Sequence, residues 1–171
     1  CTSANASEVV EAVAAEFGVD TVIFLPDRFL GAHVASQTPV RLMLWHGSCE
    51  VHETFTAQQV RHTREQFHAR VVAHPECPPD VLAEADFVGS TTAMGAWLEK
   101  EKPERVALVT ECSMADNLKS RFPDIEFVKP CNLCPYMQRI TLPNIHASLL
   151  ERKYVVEVPA GIAAGARRAL E

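Results

Sequence analysis

Apolar positions along the chain follow two periods that take turns. Val9, Val10, Val13, Ala14 and Phe17 recur at helical spacing, which predicts a helix over residues 7–17 with Gly18 as its stop. Residues 21–25 are a continuous β-branched and apolar run closed by Pro26, the pattern of a buried parallel strand. Residues 40–45 predict the next strand, broken at Gly47, and residues 56–68 a polar helix with Thr56 as N-cap. Further strands are predicted at 70–73, 87–89, 105–110 and 125–128, separated by helices at 78–85, 91–102 and 114–122. The chain then predicts a helix at 142–152, a last strand at 154–158 and an alanine-rich helix at 162–170.

Strands that alternate with helices imply βαβ units, so the expected fold class is α/β, built of three-layer α/β/α domains with short parallel sheets. In such sheets the chemistry collects in loops after the carboxyl ends of the strands.

The pattern also repeats. Thr2-Ser3-Ala4-Asn5-Ala6, a helix, the strand 22–25 and then Cys49 form one copy; Ser90-Thr91-Thr92-Ala93-Met94, a helix, the strand 106–109 and then Cys134 form another. Ser3 and Ser90 are 87 positions apart, and Cys49 and Cys134 are 85 apart. Two homologous domains are therefore expected, residues 1–69 and 70–171, the first lacking a counterpart of the opening strand 70–73.

Composition narrows the function classes. Of the 171 residues 47% are hydrophobic and 22% charged, as in a globular domain, and the net charge of −6 gives no support to a nucleic-acid groove. No run approaches the roughly 20 apolar residues that span a bilayer, so no membrane partner is expected. No basic and apolar leader opens the sequence, which begins at Cys1 without Met and reads as a cut inside a longer, cytoplasmic chain. The six cysteines then read as reduced thiols: core residues, ligands or nucleophiles rather than a disulfide framework.

Four motifs carry candidate chemistry. Gly47-Ser48-Cys49-Glu50-Val51-His52 follows a strand, and its Cys and His can face one cavity; a buried core Cys beside a surface His and a catalytic Cys–His pair are both open readings. In His74-Pro75-Glu76-Cys77 an imidazole and a carboxylate two residues apart share one face of extended backbone, suited to proton transfer or carboxylate binding. Gly89-Ser90-Thr91-Thr92 lies between a strand and a helix start, where hydroxyl and N–H groups suit an anion or simply cap the helix; the same applies to Thr2 and Ser3. Cys131-Asn132-Leu133-Cys134-Pro135 holds a single CxxC, a weak zinc signal, and its Cys-Pro pair is compatible with iron–sulfur ligation.

Taken in order, these segments resemble the quinolinate synthase family. The matching strings are Cys1-Thr2-Ser3-Ala4-Asn5-Ala6, Pro26-Asp27, Trp45-His46-Gly47-Ser48-Cys49-Glu50-Val51-His52, Ala73-His74-Pro75-Glu76-Cys77, Ala85-Asp86-Phe87-Val88-Gly89-Ser90-Thr91, Thr110-Glu111, and Cys134-Pro135-Tyr136-Met137 followed by Ile140-Thr141-Leu142. The resemblance implies three homologous α/β domains around a pseudo-threefold axis, each giving one cysteine to a central [4Fe–4S] cluster with one open iron. It implies a transferase of NAD biosynthesis that condenses iminoaspartate, supplied by an aspartate oxidase or dehydrogenase, with dihydroxyacetone phosphate. Carried over by position, Cys49 and Cys134 become the second and third metal ligands. His52 and His74 hold substrate carboxylates, with His74 also counted in the catalytic pair. Glu76 transfers protons, and Ser3, Ser90 and Thr91 bind carboxylate or phosphate.

The departures are also informative. The first domain and its cysteine are absent, so this stretch alone is expected to be inactive. The family usually has Pro in place of His46 and lacks Cys112, and part of it shares the CxxC, where a disulfide between Cys131 and the ligand cysteine would compete with the cluster. Cys1, Cys77 and Cys112 read as non-ligands. Two other classes stay open: a thiol/disulfide redox regulator using Cys131 and Cys134, and a non-catalytic module binding phosphorylated metabolites through Ser3 and Ser90.

Overall fold

A computed structural model describes residues 1–128 and 130–168. These fall into two compact units, Cys1–Cys134 and Pro135–Glu171. The first unit runs α1 (Ala6–Phe17), β1 (Thr21–Phe24), α2 (Arg28–Ala35), β2 (Arg41–Leu44), α3 (Ala57–Phe67), β3 (Arg70–Ala73), α4 (Pro79–Leu82), β4 (Phe87–Val88), α5 (Thr91–Glu101), β5 (Arg105–Val109), α6 (Cys112–Arg121) and β6 (Glu126–Val128). All pairings are parallel, in a two-stranded sheet β1-β2 and a four-stranded sheet of order β4-β3-β5-β6. The fold is α/β, with short parallel sheets and helices packed around them.

Local chemistry accounts for the boundaries. Thr56 caps α3 in a full capping box with Gln59. Gly18 ends α1 in the left-handed conformation, with φ of 61°. The helix expected at 78–85 is shorter, because the amides of Glu84 and Ala85 bond three residues back and tighten the chain into turns.

The four-stranded sheet has a core on each face. Val71, Ala73, Ala107 and Val109 point to Phe55, Val60 and Val81 on the side of α3 and α4. Val72, Val106 and Leu108 point the other way, to Met94, Leu98 and Leu118 of α5 and α6. This alternation is the period-two consequence of a pleated strand placed between two helical layers.

The two-stranded sheet differs. Phe24 packs with Ala6, Val10, Leu30 and Val34 of α1 and α2. Ile23, Leu25, Met43 and Trp45 lie exposed. The run 21–25 was expected to be buried throughout; it is buried on one face, because helices cover only that face among the described residues.

The second unit holds a 3-10 turn (Met137–Arg139), α7 (Leu142–Glu151) and α8 (Ala160–Arg168). Thr141 caps α7 in a capping box with Asn144. The strand expected at 154–158 is not formed: Tyr154, Val155, Val156 and Val158 are exposed, with no strand pairing to satisfy their backbone. The last two positions of the helix expected at 162–170 lie outside the described residues. Among the described residues, no helix is long and apolar enough to cross a membrane.

Candidate active site

The parallel sheets bring the loops after β2, β3 and β5 together at their carboxyl ends. The loop after β2 carries Cys49 and His52. Its Gly47 sits so close to the chain that an added Cβ would lie 2.5 Å from the Pro26 carbonyl oxygen, so only glycine fits. The loop after β3 carries His74 and Glu76, anchored by a 3.2 Å bond from the His74 amide to the Val109 carbonyl.

These groups form one array. The Glu76 carboxylate can only accept, so His52 donates from Nδ1 to Glu76 Oε2 at 3.0 Å; with a neutral ring, Nε2 accepts from the Thr110 hydroxyl at 3.0 Å. His74 stacks on His52 with ring centroids 4.6 Å apart. The Glu76 amide points at His74 Nδ1 from 3.4 Å. One ligand atom each from Cys49, His52 and Glu76 lies within 4.8 Å of the others.

The electrostatics follow from burial and from the pairing. The hydrogen bond from His52 is the main cause that holds the Glu76 carboxyl below the usual range. Burial, with the neighbouring His52 charge adding to it, lowers His74 to about 4, so its ring is neutral at pH 7. Burial pushes the Cys49 thiol up. Both His52 ring nitrogens are engaged, which leaves this trio poorly suited to a mononuclear metal site and better suited to a proton-handling pair beside a thiol.

Ser3 and Ser90 meet elsewhere in the same unit. They line a cavity of about 280 Å³ bounded by the first turn of α1 and the start of α5, with His33 and Gln37 on its wall. Ser90 is buried and caps α5 by accepting from the Ala93 amide at 3.3 Å. Asn5, at the N-cap position of α1, makes no side-chain cap bond, so that first turn keeps free donors. Thr91 is exposed and does not line the cavity.

Cys134 lies half-buried after β6. Glu111 and Asn132 form a parallel bridge, and the Asn132 side chain donates to the Val51 carbonyl at 3.1 Å and the Thr54 hydroxyl at 2.8 Å. The two cysteine-bearing loops are thereby tied to each other. Both thiols are free, and thiolates are the donors that soft iron–sulfur clusters take, so the residues present fit two ligands of such a group.

The Cys131 partner differs from the one considered in the sequence. Cys131 is bonded to Cys112, with Cα atoms 4.9 Å apart, because the Glu111–Asn132 bridge sets the two residues side by side. A Cys131–Cys134 dithiol pair is therefore not what the structure contains, and the expectation that all six cysteines stay reduced does not hold for these two. Cys77 is buried, with its thiol pushed far up by burial, and Cys1 is exposed and free.

Sequence reasoning assigned no role to Thr110, Glu111, Asp27, Asn132 or His33. A carboxylate placed just after a strand and just before a helix was a readable cap signal at Asp27 and Glu111. The partners of Thr110 and Asn132 are distant in sequence and left no local trace.

The pattern that defines quinolinate synthetase A protein matches residues 1–171. The chain is 52% identical over its full length to quinolinate synthase 2 of Mesorhizobium japonicum, covering 52% of that protein. It is likewise 52% identical to the quinolinate synthase of Xylella fastidiosa, covering 50% of it, and 49% identical to that of Caulobacter vibrioides, covering 47%. The chain thus spans about half the length of the curated relatives it matches. With the family pattern matched from end to end, and about half of all positions shared with these relatives, the chain belongs to the quinolinate synthetase A family.

Proposed function

We propose that residues 1–69 and 70–171 are two homologous domains of a quinolinate synthase. In this reading the protein condenses iminoaspartate with dihydroxyacetone phosphate, and Cys49 and Cys134 are two ligands of a [4Fe–4S] cluster. The observation that carries the reading is the His52–Glu76–His74 array beside the Cys49 thiol. When bound, the cluster supplies a Lewis-acidic iron that polarises an oxygen of the substrate.

The chain's own residues do the rest. His74, neutral and buried, presents a ring N–H to a substrate carboxylate. His52 does the same when its bond to Glu76 loosens. Glu76 is held ionised by His52, and the negative charge of a bound dicarboxylate raises its proton affinity, making it a base at the reacting carbon. The proton is then shared along the line Glu76–His52–Thr110. Ser3 and Ser90, with the free donors of α1, receive a carboxylate or phosphate, whereas Thr91 stands outside that cavity. A burial-raised Cys49 thiol becomes thiolate only where a cation draws off its proton, as iron does.

The test is an anaerobic quinolinate assay of the complete protein that carries this chain, after reconstitution with iron and sulfide. Glu76→Gln is expected to lower turnover about 100-fold or more with iron content unchanged. Undiminished turnover in Glu76→Gln would overturn the assignment.

A further inference from the structure

The two cysteine loops share a device that no motif in the sequence announces. Asp27 directly precedes α2, and its Oδ1 accepts from the Phe29 and Leu30 amides at 2.9 and 2.7 Å. Its other oxygen, Oδ2, accepts from the Cys49 amide at 2.8 Å, 22 residues further on. Glu111 directly precedes α6, and its Oε2 accepts from the Ser113 amide at 2.7 Å. Its other oxygen, Oε1, accepts from the Cys134 amide at 3.2 Å, 23 residues further on.

Both carboxylates are buried, Asp27 at 5% exposure and Glu111 at 8%. A buried carboxylate is costly unless its lone pairs are filled, and here each one is filled by a helix start on one side and a cysteine backbone on the other. A helix cap needs only one oxygen, and serine or threonine supplies it at lower desolvation cost. A forked acceptor is needed only if two points must be held at once. Aspartate and glutamate differ in length by a methylene, yet both repeats arrive at the same two contacts.

We propose that Asp27 and Glu111 are paired positioning residues, each locking the backbone of one ligand cysteine to the first turn of its neighbouring helix. This rests on the assignment of Cys49 and Cys134 as ligands. The fork fixes where each Sγ can reach before any metal arrives, so that the thiols are preorganised rather than gathered by the metal.

The test separates the clamp from the cap. In Asp27→Ser and Glu111→Ser a single hydroxyl oxygen still caps the helix but cannot reach the cysteine. Amide hydrogen exchange, followed by NMR on the chain, is expected to speed up about tenfold or more at Cys49 in Asp27→Ser. The Phe29 and Leu30 amides should stay as in the parent. Glu111→Ser should do the same at Cys134, with Ser113 unchanged. Should a serine variant fail to fold, Asp27→Asn and Glu111→Gln replace it; one oxygen must then serve both partners, and the cysteine amide loses its downfield proton shift.

Unchanged exchange at the cysteine amides would overturn the proposal. So would equal loss at cysteine and cap amides in both variants of a position, since that marks a cap alone. Iron retention against a chelator in the reconstituted complete protein provides a separate measure. If the parent binds iron and the serine variants shed it no faster, the positioning role is wrong. If the parent binds no iron while the amide results hold, the clamp stands and the cluster assignment falls.

Discussion

The two sheets of the Cys1–Cys134 unit start from the same local pattern and reach different degrees of burial. In each, a strand is followed by a carboxylate, a helix, a second strand and a half-buried cysteine. Phe24 in β1 and Leu108 in β5 both point into the core formed by their flanking helices. The opposite faces diverge: Ile23 is 69% exposed, whereas Ala107 and Val109 are fully buried. α3 and α4 cover that side of the second sheet, and no described element covers it in the first. Local sequence thus sets the elements, while burial depends on which layers are present.

Alanine scanning of β1 and β5 is expected to give the largest effects. Phe24→Ala should cost about 3–5 kcal/mol and Ile23→Ala under about 0.5 kcal/mol, a one-faced pattern. In β5 both neighbours should count, with Leu108→Ala costing about 2–5 kcal/mol and Val109→Ala about 1–3 kcal/mol. Urea unfolding measures all four. A costly Ile23→Ala would mean that something covers the first sheet in solution, and the contrast would collapse.

A smaller effect should appear with pH, through His74 in the loop after β3. The folded state lowers His74 from an ordinary value of 6.5 to about 4, so the unfolded chain binds more protons between these limits. Its contribution to stability is complete above pH 6.5 and is lost progressively as the pH falls toward 4. Urea midpoints of the metal-free chain should drop across that window, and His74→Asn should flatten the drop. A midpoint that falls equally in His74→Asn would assign the sensitivity to another group.

Much of this was readable from sequence because it is local. The caps at Thr56 and Ser90, the strand 70–73 and the position of Cys49 and His52 after a strand depend on neighbours within a few residues. The strand expected at 154–158 failed for the complementary reason: an apolar β-branched run has strand propensity but needs a partner, and propensity alone does not provide one. The Cys112–Cys131 bond was not legible because the CxxC spacing points to Cys134, while the true neighbour, 19 residues away, is set by the Glu111–Asn132 bridge. Asp27 and Glu111 were visible as caps, but not as clamps, since their second partners lie a full βα unit away.

The smallest predicted effect concerns the side chain that joins the two cysteine loops. Asn132 belongs to the Cys134 loop, yet both of its donors are spent on Val51 and Thr54 in the Cys49 loop. Asn132→Ala removes both bonds but leaves the Thr54 hydroxyl still donating to the Val51 carbonyl at 3.0 Å. Two ordinary hydrogen bonds at a partly exposed site make this a loss of about 1 kcal/mol, small beside any core substitution. The more telling measurement is the alkylation rate of the Cys49 and Cys134 thiols, read separately from the exposed Cys1. If Asn132 holds the loops together, Cys49 and Cys134 should both react faster in Asn132→Ala, because each loop steadies the other. Faster reaction at Cys134 alone would mean that Asn132 merely shapes its own loop, and that the Cys49 loop is held by its own neighbours without help from the Cys134 loop.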